Sequence, residues 1–379
     1  MDKVTYQEYR RFPAEKLGSL VANFVSESAN ELHDNLHAYI RRKEDGTCPF
    51  FGADRLCGIE KEYGAKLLTS TCSIYPRSLT VVNGTLEGSL SLSCPEAARA
   101  VLLNEGSTQR QGNLFSGDFR TDNVFSVGKR SGLDSSLLPV RALVVALIQD
   151  RSRPIWQRLL VIASLCSRLD DVVGDDGRDT SELLRRYENS LGQGESSELE
   201  RLEPRIAIRL ELAIAQSDQR CRDKDCGPRF RDIFWDFIEG IGSSGSGGPE
   251  EDVSRFSEAS RKYLNPFLNR YPFIAENYLL NYVYQHVFPF GRAGSDRFLA
   301  RSMFDEAVLL ATQFSWLTTL LTGVAGRYGP EFSQTHLITT VQSFTRAVEH
   351  APQIQEDALA FVKARSLNTL AGLGHLLRT

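Results

Sequence analysis

From Pro139 to about residue 376, apolar side chains return every three or four positions. That period belongs to amphipathic helices. The spacing predicts helices over 139–150, 153–173, 178–192, 196–220, 228–240, 250–264, 271–288, 302–325, 331–349 and 353–376. Too few β-rich runs separate them to build a parallel sheet. The chain also lacks a strand followed by Gly-x-Gly-x-x-Gly opening a helix, and lacks Gly-x-x-x-x-Gly-Lys-Ser/Thr. The expected fold is therefore mainly α, with no Rossmann domain.

The first third has a different texture. Residues 14–43 read as helix, with Leu17, Leu20, Val21, Phe24 and Val25 at helical spacing. Between 44 and 95, short apolar runs alternate with Gly, Pro, Asp, Asn and Ser. Asn83-Gly84, between Leu79-Thr80-Val81-Val82 and Thr85-Leu86, signals a short β-hairpin. Pro95 follows Cys94 at the first turn of a helix running to Leu103. Three regions are expected: a cysteine-rich, loop-rich N-terminal region over 1–125, a helical middle over 126–248, and a C-terminal helical region over 249–379. The middle ends in the Gly/Ser linker Gly242-Ser243-Ser244-Gly245-Ser246-Gly247-Gly248.

Charge and hydropathy narrow the partners. With 44 basic and 48 acidic residues in 379, the net charge of −4 gives no sign of a nucleic-acid binder. Residues 1–30 carry charges throughout and have no apolar signal-peptide core. The longest apolar stretch, Ala307 to Gly326, is interrupted by Thr312, Gln313, Ser315, Thr318, Thr319 and Thr322. It reads as a buried helix, not a membrane span, and a cytoplasmic location is expected.

Seven cysteines, an odd number without an export signal, make a poor disulfide framework. Cys48, Cys57, Cys72 and Cys94 are separated by only eight, fourteen and 21 residues. Four thiolates suit tetrahedral zinc or an iron–sulfur cluster, although small buried cysteines would explain the spacing equally well. A helix N-terminus at Cys94 and Arg77 near Cys72 would favour the thiolate form. Cys221 and Cys226 bracket a charged segment that reads as an exposed turn. His33 and His37 lie on one helix face without a third ligand, a weak zinc signal.

Several blocks resemble the flagellin lysine-N-methylases of bacteria. They are Cys48-Pro49-Phe50, Leu56-Cys57-Gly58-Ile59-Glu60-Lys61, Thr71-Cys72-Ser73-Ile74-Tyr75-Pro76-Arg77, and Ser93-Cys94-Pro95-Glu96-Ala97-Ala98-Arg99. The likeness returns in Glu276-Asn277-Tyr278-Leu279-Leu280-Asn281-Tyr282, in Val287-Phe288-Pro289-Phe290-Gly291, and in Gln342 to His350. The resemblance implies transfer of methyl groups from S-adenosylmethionine to flagellin lysines. It also implies a [4Fe–4S] cluster, with Cys48, Cys57, Cys72 and Cys94 at the family's cysteine positions; zinc is the alternative metal. Family members usually begin with a further cysteine-rich segment, placed before the equivalent of Asp2-Lys3-Val4-Thr5-Tyr6. The resemblance therefore leaves two readings, a start further upstream or a reduced ligand set.

Methylation sets its own chemical demands. Lysine attacks as the neutral amine, against an unperturbed pKa of about 10.4. The amine must be desolvated or served by a base, and aligned with the sulfonium. Asn277, Asn281 and Gln285 share one helix face near Tyr284, which reads either as a cofactor wall or as a core helix binding backbone. Gln342, Arg346 and His350 form a second i, i+4, i+8 row, with a solvated face as the simpler explanation. The candidate set is then His350 and Tyr75 as catalytic groups, and Arg77, Asn277, Asn281 and Arg346 around the cofactor. A rival reading keeps the helical body and the metal but binds flagellin, or another protein, without methylating it.

Overall fold

A computed structural model describes residues 1–28, 37–82, 84–108, 125–127, 137–173, 180–194, 199–243, 248–291 and 302–378. His33, the Asn83 turn residue and positions 244–247 of the Gly/Ser linker lie outside them. Contacts divide the chain into two compact units. One comprises Met1–Val81 with Gln111–Ser126, and the other Val82–Arg110 with Val127–Thr379.

The first unit is built on short elements around a small core of Tyr9, Phe12, Val21, Val25, Ala38, Phe50, Ile59 and Leu68. Asp2 caps its first helix, Lys3–Tyr9, accepting from the Thr5 amide at 2.8 Å. Tyr9 then donates its hydroxyl to the Leu67 carbonyl at 2.9 Å, and Phe12 stacks on Tyr63 with ring centres 3.8 Å apart. The continuous helix expected over 14–43 is not formed. Helical turns cover Ala14–Gly18 and Ser19–Phe24, after which Val25–Glu27 pairs antiparallel with Ala38–Ile40. Leu17, Leu20, Val21 and Val25, which mimic one helical stripe, all reach the same core, but from three different kinds of element. Val25 and Ala38 bury while Glu27 and Tyr39 are exposed.

The hairpin is present. Strands Arg77–Val82 and Thr85–Leu90 are neighbours in a three-stranded sheet whose third member, Phe125–Val127, lies beyond the first. Gly84 turns it with φ near +76°, which a side chain would resist.

The second unit is helical, as expected. Its centre is the helix Met303–Tyr328, almost wholly buried from Ala307 to Ala325. It is long and apolar enough to cross a membrane, yet 89% of its most apolar window is covered by the rest of the chain. The apolarity therefore serves a core. Pro228–Gly240 crosses it at very short range: a Cβ on Gly240 would lie 1.8 Å from the Gly323 carbonyl oxygen, and one on Gly323 would meet Phe237 at 2.4 Å. Elsewhere the breaks are local. The helix expected over 353–376 splits into Pro352–Ala364 and Leu370–Leu377, because Ser366 takes a left-handed φ of 55° and Thr369 caps the second piece, accepting from the Gly372 amide. The helix expected over 331–349 is regular only from Gln334 to Phe344 and ends in a wider π-turn over Thr345–Glu349.

Candidate functional site

In the second unit, the helix Leu137–Gln149 carries one charged residue in an otherwise apolar run. Val140, Leu143, Val144, Leu147 and Ile148 point into the core, and that stripe takes Arg141 with it, to 3% exposure. A guanidinium cannot shed its charge at such a position, so it needs partners. Arg141 Nη2 donates to Glu87 Oε2 at 2.6 Å, and the guanidinium carbon lies 5.4 Å from the Tyr284 ring centre. Nε and Nη1 are buried and have no hydrogen-bond partner among the described residues. Other atoms of Arg141 help to line a cavity of about 660 Å³, with Thr108, Pro139, Val145, Gln149 and Tyr284 among others.

The helix Phe273–His286 braces this region from behind. Asn277 Nδ2 donates to the Val101 and Asn104 carbonyls at 2.9 and 3.0 Å, and its Oδ1 accepts from the Thr108 hydroxyl at 3.2 Å. Asn281 bonds Leu90 through both amide and carbonyl, and its Nδ2 also reaches Gln285 Oε1 at 3.4 Å. The expected amide face thus exists, and its hydrogen bonds go largely to backbone. One turn earlier, buried Glu276 accepts from Arg151 at 2.8 and 2.9 Å and from Arg158 at 2.8 Å. Tyr278 donates to Glu349 Oε1 at 2.8 Å inside the core. Burial pushes the Glu349 carboxyl up to about 7, against the hydrogen bond from Tyr278.

Of the row Gln342, Arg346, His350, Gln342 is buried, whereas Arg346 on the π-turn Thr345–Glu349 and His350 just after it are exposed; Gln342 and His350 both reach the Ser91–Ser93 segment. Gln342 donates to the Ser93 carbonyl at 2.8 Å and accepts from Arg229. His350 Nε2 lies 3.0 Å from Ser91 Oγ, which is 2.8 Å from Ser93 Oγ. This short polar chain ends one residue before Cys94, the N-cap of Pro95–Leu102.

The cysteines are distributed between the units. Cys48, Cys57 and Cys72 belong to the first and Cys94 to the second. Cys48 and Cys72 are exposed and Cys57 half-buried. The Cys48 thiol is pushed up, first by partial burial and further by the charges of Cys72 and Cys57. Cys48 is thus near enough to Cys57 and Cys72 for their charges to act on it. Among the described residues, however, no three Cys, His, Asp or Glu side chains stand close enough to hold a metal ion. As folded, the thiols do not fit a tetrahedral or cubane centre. Tyr75 and Arg77, both exposed, lie in the first unit. The predicted residues thus fall into three groups: the Cys48 neighbourhood with Tyr75 and Arg77, the amide helix with the cavity it supports, and the His350–Ser91 pair with Arg346 exposed on the neighbouring π-turn.

Sequence reasoning passed over Arg141. Its signal was available: a lone arginine amid Leu, Val and Ala on a helix, where only a built environment stabilises the charge.

Comparison with known proteins adds a different kind of observation. The family model for the FliB lysine N-methylase C-terminal domain matches residues 141–376, well over half of the chain. The chain belongs to this FliB family. A stretch of 57 residues, 15% of the chain, is 44% identical to the flagellar biosynthetic protein FliU of Salmonella muenchen, covering 34% of that protein. The same length and identity are found against the lysine-N-methylases of Salmonella typhimurium and Salmonella choleraesuis, there covering 14% of each relative. The matched stretch is thus about a third of FliU and about a seventh of the methylases. No solved structure matches. The family match begins at Arg141 itself and takes in the amide helix and the His350 turn.

Proposed function

We propose that this chain N-methylates lysine side chains of flagellin in the cytoplasm, with S-adenosylmethionine as methyl donor. The observation that carries the reading is the FliB family match over residues 141–376. The curated relatives, one named for flagellar biosynthesis and two as lysine-N-methylases, support the flagellar substrate and the reaction type.

In this reading the lysine Nζ lone pair forms a bond to the methyl carbon as the carbon–sulfur bond breaks, and S-adenosylhomocysteine leaves. One proton must depart from the amine. His350 is the proposed acceptor: it is exposed, and its Nε2 bond to Ser91 fixes the ring. Arg346 and Arg77 are proposed to meet charged groups of donor or substrate, and Tyr75 to face the lysine. Asn277 and Asn281 act on the donor indirectly, by holding the Thr108 loop and the strand end at Leu90. The [4Fe–4S] cluster on Cys48, Cys57, Cys72 and Cys94 has the family resemblance alone behind it; the thiols as folded do not fit it, and no step of the transfer is routed through it.

The test is incubation with flagellin and isotopically labelled S-adenosylmethionine, followed by mass analysis of the lysines. Labelled methyl groups on flagellin lysines are expected. Flagellin that binds the chain but stays unlabelled would establish the non-catalytic rival instead. Iron and sulfide assays on anaerobically purified protein address the cluster separately. Iron and sulfide that are present and both lost in Cys72→Ser would show that the thiols gather on loading, whereas stoichiometric zinc would replace the cluster in the reading.

A further inference from the structure

We propose that Cys221 and Cys226 form a dithiol that a hydroperoxide closes to a disulfide, a redox-modification site independent of the methyl-transfer reading.

The two cysteines stand at the joint between the helices Ile206–Arg222 and Pro228–Gly240. Arg222, Asp223, Lys224 and Asp225 between them are exposed, as the sequence suggests, but the cysteines are not. Cys226 is 3% exposed and belongs to the main hydrophobic core, and the half-buried Cys221 packs against that same core. There the two thiols hydrogen-bond each other.

The loop holds that contact in place. The Asp223 amide donates to the Arg220 carbonyl at 3.2 Å, and the Cys226 amide to the Asp223 carbonyl at 3.1 Å. Arg231 donates to the carbonyls of Cys221 and Asp223 at 3.0 and 3.1 Å. Arg220 reaches the Asp223 carboxylate at 2.9 Å and is itself anchored on the Ala347 carbonyl at 2.7 Å. Two guanidiniums thus fix the backbone that carries both sulfurs and bring positive charge beside them. Thiolate is the reactive form, and such charge favours it. The Cys226 thiol is lowered to about 7, first by the hydrogen bond from Cys221, against partial burial, and then by Arg220 and Arg231. Cys221, the donor in that bond, is pushed up. Near neutral pH the pair therefore holds one thiolate. Passing the shared proton to Cys226 puts the charge on Cys221, the more exposed sulfur.

The Cys221 thiolate attacks an oxygen of the hydroperoxide. The O–O bond breaks, an alcohol (water, from hydrogen peroxide) leaves after taking up a proton, and Cys221 becomes a sulfenic acid. Cys226 then attacks that sulfur as thiolate. The S–O bond breaks, hydroxide takes up a proton and leaves as water, and the S–S bond forms. Two thiols have lost two electrons and two protons, and the hydroperoxide has been reduced to alcohol and water. Because the second sulfur is already in contact, the closing step needs no search by the chain. In a reducing compartment such a pair stays open until an oxidant arrives.

The experiment treats the reduced full chain with hydrogen peroxide, alkylates the remaining thiols and maps the cysteines by mass spectrometry. A bond joining Cys221 to Cys226 is expected, and dithiothreitol should reopen it. It should form at least about threefold faster in the native chain than in urea, where the arginines no longer hold the loop and thiolate is scarcer. Cys226→Ser deprives Cys221 of its partner, so dimedone should trap a sulfenic acid there. The wild-type map decides even where that variant does not fold. If Cys221 and Cys226 are both still alkylated after the exposed Cys48 and Cys72 have oxidised, the proposal is overturned. Crosslinks from either one to a different cysteine, or equal rates in native and unfolded chain, overturn it as well.

Discussion

Asn281 holds Leu90 by both ends of its peptide: the Leu90 amide donates to Asn281 Oδ1 at 3.2 Å, and Asn281 Nδ2 donates to the Leu90 carbonyl at 2.9 Å. A side-chain amide thus does for the end of the Thr85–Leu90 strand what a neighbouring strand would do. Among the described strands Thr85–Leu90 lies at the edge of its sheet, and the helix Phe273–His286 reaches Leu90 through this side chain.

Asn281→Leu removes both bonds and leaves a half-buried peptide unpaired. A loss of about 2–4 kcal/mol is expected, from two unmade hydrogen bonds and their desolvation. Urea unfolding measures it, and hydrogen exchange at the Leu90 amide should quicken. A variant with unchanged stability and unchanged exchange would show that water replaces the amide at no cost.

Glu306 should make stability fall as pH rises. Burial lifts its carboxyl to about 7, whereas an unfolded glutamate releases its proton near 4.5. Between these values the native state binds more protons than the unfolded state, so stability declines through the window and the loss is complete above it. A shift of that size corresponds to about 3 kcal/mol. Glu306→Gln is therefore expected to be more stable than wild type at pH 8, by about 1–3 kcal/mol after discounting for relaxation around the charge. The two should converge near pH 4.5. Denaturant melts at both pH values decide it; an equal difference at both would mean that packing, not ionisation, is responsible.

Glu276→Ala leaves Arg158 as a buried cation without its anion, and frees Arg151 into solvent. Breaking a buried pair from one side costs about 3–5 kcal/mol. Arg151→Ala should cost far less, because Arg151 is half exposed and Arg158 still satisfies Glu276. Thermal unfolding of the two variants should rank them in that order. The reverse ranking would place the stabilisation in the outer pair.

Tyr278→Phe takes away the hydroxyl that donates to Glu349. That hydrogen bond favours the ionised carboxylate, so its loss should raise the Glu349 pKa beyond about 7. Above pH 7 the variant should lose about 1–2 kcal/mol and below pH 5 considerably less. Infrared titration of the carboxyl band reads the shift directly.

Much of the helical unit was legible because its apolar residues keep one period for long stretches, as in the central helix at Met303–Tyr328. The errors came where two structures share a short pattern. Leu17, Leu20, Val21 and Val25 satisfy a helical stripe, yet that spacing cannot reveal that Val25–Glu27 pairs antiparallel with Ala38–Ile40. The π-turn over Thr345–Glu349 was equally hidden, since one residue added to a turn leaves no mark on composition. At the site, the amide row on Phe273–His286 was readable from spacing alone. Its partners were not, because Leu90, Val101 and Thr108 are more than 160 residues away in sequence. Arg141 was passed over for the opposite reason: one charge in an apolar helix looks like noise until its burial is known.

The glycines where Pro228–Gly240 crosses Met303–Tyr328 have a consequence for how the unit can move. At Gly240 and Gly323 peptide groups meet with no side chain between them, so there is no rotamer to switch and no methyl group to slide past. Sliding one helix along the other would drive main chain into main chain. Rearrangement around a bound molecule must then come from the periphery, while this crossing stays put as the fulcrum against which the outer helices shift.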